Sequence, residues 1–235
     1  MASAGFDTGS YPGDTAMKTW AASSPYQFVG YYLDAPCHTP HTFTSWMGKR
    51  HFLTGLGLGL AVVYVGLQQE GCGSTHLSHA KGLEHGADTI AKCRGEGFPA
   101  GTIVFLDVES FDGSMSADMQ LYYRGWVSAI LDSHDVKVGT YCAKKNVHDV
   151  LLAARAEYAA HGQPGGAPSL WIVSVGDPLF DPATSSPADS GVASADVWQG
   201  RIDIQDETHG GVSLDIDQNV ATSRDPSHTF GVVTT

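Results

Sequence analysis

The chain has 235 residues, a formal net charge of −12 and 42% hydrophobic residues. That length suits a single α/β barrel, which runs to about 250 residues, and the composition is globular, not disordered. So acidic a chain, with no Lys/Arg cluster, repels phosphate backbones and anionic lipid surfaces, which excludes nucleic acid and membrane surfaces as partners.

In chain order, short β-rich runs alternate with helical stretches. A first strand is expected at residues 4–7, a short helix at 14–22, a second strand at 28–34, a helix at 45–54 and a third strand at 58–66. The helix at 76–95 gathers Leu83, Ala87, Ile90 and Ala91 on one face, as packing against a sheet requires. Pro99-Ala100-Gly101 links it to a fourth strand at 102–109. The helix at 116–133 gathers Met119, Tyr123, Trp126, Val127, Ile130 and Leu131, and a fifth strand at 137–142, a helix at 144–160 and a sixth strand at 169–175 follow. Residues 177–194, rich in Pro, Ser, Asp and Gly, read as a loop, with strands seven and eight at 196–200 and 212–217. Strands three, four and six are nearly unbroken apolar runs, as in parallel strands covered on both faces. Repeated β–α–β units imply parallel pairing, and eight strands imply closure. The expected architecture is one α/β domain over residues 1–221, a (β/α)8 TIM-type barrel that becomes irregular after strand six, and a C-terminal tail at 222–235. The apolar run at 56–66 is about half the roughly 20 residues a membrane span needs, so no membrane insertion is expected. The start, Met1-Ala2-Ser3, enters folded-looking sequence at once, and no signal peptide is read there.

The chemistry is expected at strand ends. In the fourth strand Ile103, Phe105, Asp107 and Glu109 share one face, which places two carboxylates at the C-terminal end, pointing into the barrel. Two carboxylates this close repel, so one gains a raised pKa and becomes able to protonate a glycosidic oxygen near neutral pH. The bland alternative is a pair neutralised by Arg, Lys, backbone amides or a cation. Asp7 ends the first strand, and Asp215 and Asp217 share the inward face of the eighth, which closure sets beside the first. The aromatics Tyr31, Tyr32, Tyr64, Tyr141, Trp171 and Trp198 fall near these ends and suit a glycan groove, although ordinary core packing is the better account of any single one of them.

Other patterns carry less. His38/His41 and His76/His79 have no third ligand at hand, so no metal site and no cofactor is expected. Gly55-Leu-Gly57-Leu-Gly59 precedes its strand, whereas a dinucleotide loop follows one. The four cysteines lack zinc-ligand spacing. Cys37 and Cys72 follow strands two and three on one face, so a Cys37–Cys72 disulfide is feasible and would argue for an oxidising compartment. Cys93 sits a helix length away at about 1.5 Å per residue.

Several segments together resemble the bacterial glycoside-hydrolase-like domain of unknown function that is related to the glycoside hydrolase family 25 lysozymes. They are Gly5-Phe6-Asp7, Val63-Tyr64-Val65-Gly66, Gly82 with Gly86-Ala87-Asp88, Gly97-Phe98-Pro99, Phe105-Leu106-Asp107-Val108-Glu109, Gly139-Thr140-Tyr141, Trp198-Gln199 and Leu214-Asp215-Ile216-Asp217. The resemblance spans nearly the whole chain. It implies a barrel whose cleft takes β-1,4-linked amino sugars such as peptidoglycan. It implies Glu109 as general acid, Asp107 as the group that stabilises positive charge or orients an N-acetyl group, and Asp7 with a strand-eight acid shaping the cleft. Asp215 fits the family's Val-Asp-Leu-Asn pattern better, while Asp217 is expected nearer the mouth. Tyr31, Tyr64, Tyr141, Trp171, Trp198 and Gln199 are the expected substrate-binding residues. The chain departs from the lysozymes at Trp171-Ile-Val-Ser174-Val175, where they carry Trp-x-Ala-x-Tyr, and at Gln199-Gly200, where they commonly carry Gln-Tyr. The expectation is a monomeric, lysozyme-like hydrolase of the cell envelope or exterior. Its rivals are a non-catalytic glycan-binding barrel and a metal-dependent phosphoesterase.

Overall fold

The computed structural model describes residues 2–108 and 111–230. Its elements run β1 (Ser3–Asp7), α1 (Asp14–Ser23), β2 (Phe28–Leu33), α2 (Arg50–Gly55), β3 (Gly59–Tyr64), α3 (His79–Gly95), β4 (Thr102–Val108), α4 (Ala117–Ser133), β5 (Val136–Ala143), α5 (Val147–Ala160), β6 (Ser169–Val173), β7 (Val197–His209) and β8 (Val212–Ala221). The strands close in sequence order into an eight-stranded barrel with helices between the early strands, a TIM-type architecture. Ser78 and Ser116 cap α3 and α4 by accepting the Lys81 and Met119 backbone N–H groups, which fixes where these two helices begin.

Strand alternation divides the core in two. Phe28, Ala61, Val63, Ile103, Phe105, Trp171, Val197 and Ala221 fill the barrel interior. The alternate residues, among them Phe6, Val29, Tyr31, Tyr64, Val104, Leu106 and Ile172, join the larger cluster under the helices. The helix layer is tightest where α3 meets α4. A Cβ on Gly82 would lie 2.0 Å from the Tyr122 carbonyl oxygen, and one on Gly125 would lie 2.2 Å from that of His79.

Two features differ from the sequence expectation. The eighth strand does not run parallel to its neighbours. Gly210 and Gly211, with φ of 56° and 81°, form a two-residue turn that can only reverse the chain. β8 therefore returns antiparallel to β7 and closes the barrel antiparallel to β1. The loop before β7 carries one 3-10 turn, Pro187–Ser190, and no α-helix, in keeping with the irregularity expected after strand six.

The second difference lies in residues 222–230, which read as part of a tail. In the fold they are wedged between β3 and β4 at the barrel floor. Ser227 donates its N–H to the Leu60 carbonyl at 3.0 Å and accepts from Ile103 N at 3.0 Å. Val62 N donates to Ser227 Oγ at 2.8 Å and Leu60 N to Asp225 Oδ1 at 3.3 Å. Asp225, Ser227 and Thr229 are all buried. A chain ending at Ala221 would leave the N–H groups of Leu60, Val62 and Ile103 without these partners. It is expected to lose about 3 kcal/mol of stability, read as a lower urea midpoint; an unchanged midpoint would show that the wedge is dispensable.

Candidate functional site

The site is organised around Asp7, at the end of β1 and only 4% exposed. Room for its side chain comes from Gly30 on β2, where any Cβ would lie 2.5 Å from that of Asp7. Tyr32 Oη donates to Asp7 Oδ1 at 2.7 Å. Gln199 Nε2 and Asn219 Nδ2 donate to Oδ2 at 2.9 and 2.7 Å. The same Gln199 nitrogen reaches Asp217 Oδ2 at 3.1 Å, so one amide spans both carboxylates. Behind the two amides stand aromatic donors: Tyr141 Oη to Gln199 Oε1 at 2.8 Å and Trp171 Nε1 to Asn219 Oδ1 at 3.0 Å.

The reversal of β8 decides which of its acids sits where. Asp217 is the cross-strand partner of Asp7, and Asn219 is that of Gly5, one step deeper. Because β8 enters the barrel from its mouth, Asp215 is the residue farther out, opposite to what a parallel strand would give. Asp215 is exposed, and its Oδ1 accepts the Asp206 N–H at 2.9 Å. Asp217 Oδ1 likewise accepts the Asp203 N–H at 2.7 Å. Asp203 and Asp206 both have positive φ, at irregular points of the β7–β8 register, so these carboxylates also brace two bulges.

A cavity of about 250 Å³ opens above this floor and is lined by Asp7, Asp107, Asp217, Tyr141, Trp171 and, from the loop after β2, His38 and Phe43. Asp107 is 7% exposed, and Gln68 Nε2 donates to its backbone carbonyl at 3.1 Å. Phe43, His38 and Tyr32 form a stacked wall, with centroid spacings of 4.3 and 4.7 Å. His38 is anchored by Nε2 to the Gly9 carbonyl at 2.7 Å. Cys37 and Cys72 are joined by a disulfide, Cα–Cα 6.0 Å, which ties this wall to the loop after β3. A second groove, also about 250 Å³, continues past Asp217 along Asp203, Gln205 and Asp215.

Of the expected substrate-binding residues, Tyr141, Trp171 and Gln199 reach this site. Tyr31, Tyr64 and Trp198 do not: all three lie on the outward parity of their strands. Tyr31 donates to Glu96, Tyr64 to Asp88 at 2.8 Å, and Trp198 to the Ser174 carbonyl at 2.9 Å. Trp171 is 1% exposed, with its ring edge-on to Phe105 and Tyr141, so it is floor and not a free stacking surface. A side chain at Gly200 would meet the Phe180 ring at 2.0 Å, and that ring packs on Trp198, so the residue missing there would not face the cleft. Glu109 lies outside the described residues. Asn219, Gln68 and Phe43 were not anticipated; Asn219 at least was signalled, two residues along the strand from Asp217 on the same face.

The electrostatics follow from burial. Desolvation pushes the Asp7 carboxyl above its usual range, against the pull of its three donors. Desolvation and then the neighbouring Asp7 charge raise Asp217 to about 7. Burial, followed by the charge of Asp7, holds the Tyr32 phenol well above 10, so it stays a donor.

Residues 18–221 match the model of the Rv2525c-like, glycoside hydrolase-like domain. None of the curated proteins matches in sequence. Among solved structures, the spore cortex lytic enzyme SleM of Clostridium perfringens aligns with TM-score 0.58 at 14% identity, covering 94% of this chain and 67% of that one. The Tat-secreted protein Rv2525c of Mycobacterium tuberculosis, in complex with L-tartrate, aligns with TM-score 0.55 at 18% identity, covering 94% and 95%. The modular autolysin LytC of Streptococcus pneumoniae, solved also with a synthetic peptidoglycan ligand, aligns with TM-score 0.59 at 11% identity, covering 93% and 46%. At these identities the likeness is one of fold.

The raised carboxyls predict a pH signature. A carboxyl whose pKa is higher in the folded than in the unfolded chain keeps its proton in the native state after the unfolded chain has lost it. Its contribution is therefore fully present below about pH 4 and is lost as pH rises toward about 7. Asp217→Asn should flatten the fall in stability across that window in urea melts at stepped pH; a slope equal to wild type would show that Asp217 does not titrate there.

Proposed function

Because the chain belongs to the Rv2525c-like, glycoside hydrolase-like domain family, we propose that its cleft cleaves β-1,4-linked amino-sugar glycan of the peptidoglycan type by carboxylate acid catalysis. The observation that carries this reading is the Asp7 constellation: a buried, triply hydrogen-bonded carboxylate beside a carboxyl that protonates near neutral pH, in one cavity with Asp107. Glycoside cleavage builds positive charge on the sugar ring while the leaving oxygen takes a proton, so it needs an anion held in place and an acid. Asp7 supplies preorganised negative charge beneath the ring. Glu109, next in sequence after β4, gives the proton to the leaving oxygen. Asp107 serves either to stabilise the developing charge or to orient the acetamido group of the substrate. Asp217 and the stacked wall of Tyr32, His38 and Phe43 shape the cleft.

Support comes also from outside the cleft. SleM and LytC are named as lytic enzymes, and LytC has been solved with a peptidoglycan ligand. The Cys37–Cys72 disulfide suits an oxidising compartment, in line with action at the cell envelope or outside it. No helix among the described residues is long and apolar enough to cross a membrane. The catalytic unit is proposed to be the monomer.

A second reading, a barrel that binds glycan without turnover, is favoured by the burial of Trp171, whose ring is covered by Phe105 and Tyr141 and is not itself a free stacking face. One digest separates the two. Purified peptidoglycan and chitin oligomers are incubated with wild type, Glu109→Gln and Asp7→Asn, and products are read by mass. Wild type should release new reducing ends from peptidoglycan, and Glu109→Gln should lower the rate by about 100-fold or more. Binding by wild type with no bond cleaved would establish the second reading, and full activity of Glu109→Gln would remove that residue from the mechanism.

A further inference from the structure

We propose that Trp171, acting through Asn219, is a positioning residue that holds Asp7 as the unprotonated member of the Asp7–Asp217 pair. An indole N–H can only donate. Its bond to Asn219 Oδ1, 3.0 Å, sets the amide so that Nδ2 faces Asp7 Oδ2 at 2.7 Å. The flipped amide would turn its oxygen on a carboxylate and its NH2 on an indole N–H, losing both bonds. Gln199 is oriented in the same sense by the Tyr141 hydroxyl. A hydroxyl can exchange donor and acceptor roles, however, so that lock is reversible where the indole's is not.

The two carboxylates are supplied unequally. Asp7 accepts from Tyr32, Gln199 and Asn219. Asp217 accepts from the Asp203 backbone and shares the Gln199 amide. Cross-strand carboxylates cannot both ionise cheaply, so a single proton is held between them, and the donors assign it to Asp217. The surrounding groups do not reverse this. Tyr32 from β2, Asp107 from β4, Tyr141 from β5, Asp203 from β7 and Asp215 from β8 are acidic or neutral, and burial lowers the pKa of His38, stacked behind Tyr32, which favours its neutral form. Glu109, after β4, falls outside the described residues. Among the described residues no salt bridge involves Asp7 or Asp217.

The catalytic meaning of this arrangement rests on the glycan-cleaving reading: an anionic Asp7 faces developing positive charge, while protonated Asp217 offers a donor to the substrate. The location of the proton does not depend on turnover. The test follows the carboxyl carbon shifts of aspartate in the 13C-labelled full chain across pH. In wild type Asp7 should lose its proton before Asp217. Trp171→Phe keeps a ring without the N–H and should raise the Asp7 midpoint by about 1 pH unit. Asn219→Leu, similar in shape and without a donor, should do the same and stands in if the Trp171 variant does not fold. The reverse order of titration in wild type, or an unmoved Asp7 midpoint in a folded variant, would overturn the proposal. A chain that cleaves no glycan yet titrates in this order would remove the catalytic reading and leave the positioning role standing.

Discussion

A carboxylate that is cut off from water must find its solvation in the protein, and Asp7 is such a group. A buried, ionised carboxylate with no cation beside it costs far more than a domain can spare unless several donors converge on it. Here they come from three strands: a phenol on β2 and amides on β7 and β8. Those donors are in turn oriented by Tyr141 on β5 and Trp171 on β6. The requirement to solvate one charge thus accounts for the identities of Tyr32, Gln199, Asn219, Tyr141 and Trp171.

Barrel closure makes that convergence possible. β1 is covalently remote from β7 and β8 yet hydrogen-bonded to β8, in a register that sets Asp7 across from Asp217 and Gly5 across from Asn219. The antiparallel return matters as much as closure itself. It presents β8 to the mouth by its leading end, so the strand can carry an acid at the rim and an amide at the floor. The same hairpin extends beyond the barrel, where Asp203, Gln205 and Asp215 line the groove continuing from the cleft.

Much of this was legible in the residues. Alternating apolar runs and intervening helical faces gave the barrel, and strand parity placed Asp107 inward. Parity equally sets Tyr31, Tyr64 and Trp198 outward: each neighbours an inward residue and so points away from the barrel interior. The hairpin was written in Gly210-Gly211, but β7 departs from a two-residue period at its bulges, where Asp203 and Asp206 take positive φ, so its outer half did not read as a strand. Asn219 and Gln68 escaped notice because an amide announces no chemistry of its own; its meaning comes from what it touches. The floor segment escaped for a related reason, since Asp225 and Ser227 are buried as partners for backbone N–H groups and not as apolar filling.

That floor segment bears on how the molecule comes to be made. Leu60 and its partner Asp225 are 165 positions apart in sequence. As the polypeptide emerges from the ribosome, β3 and β4 are therefore synthesised long before the residues that satisfy their lower edges. Until those residues arrive, the nascent barrel offers two open strand edges to any neighbouring chain, the kind of surface that seeds aggregation and engages chaperones. Contacts of such long sequence separation form late and slowly. The molecule that results is sealed at its base by a segment synthesised long after the strands it seals.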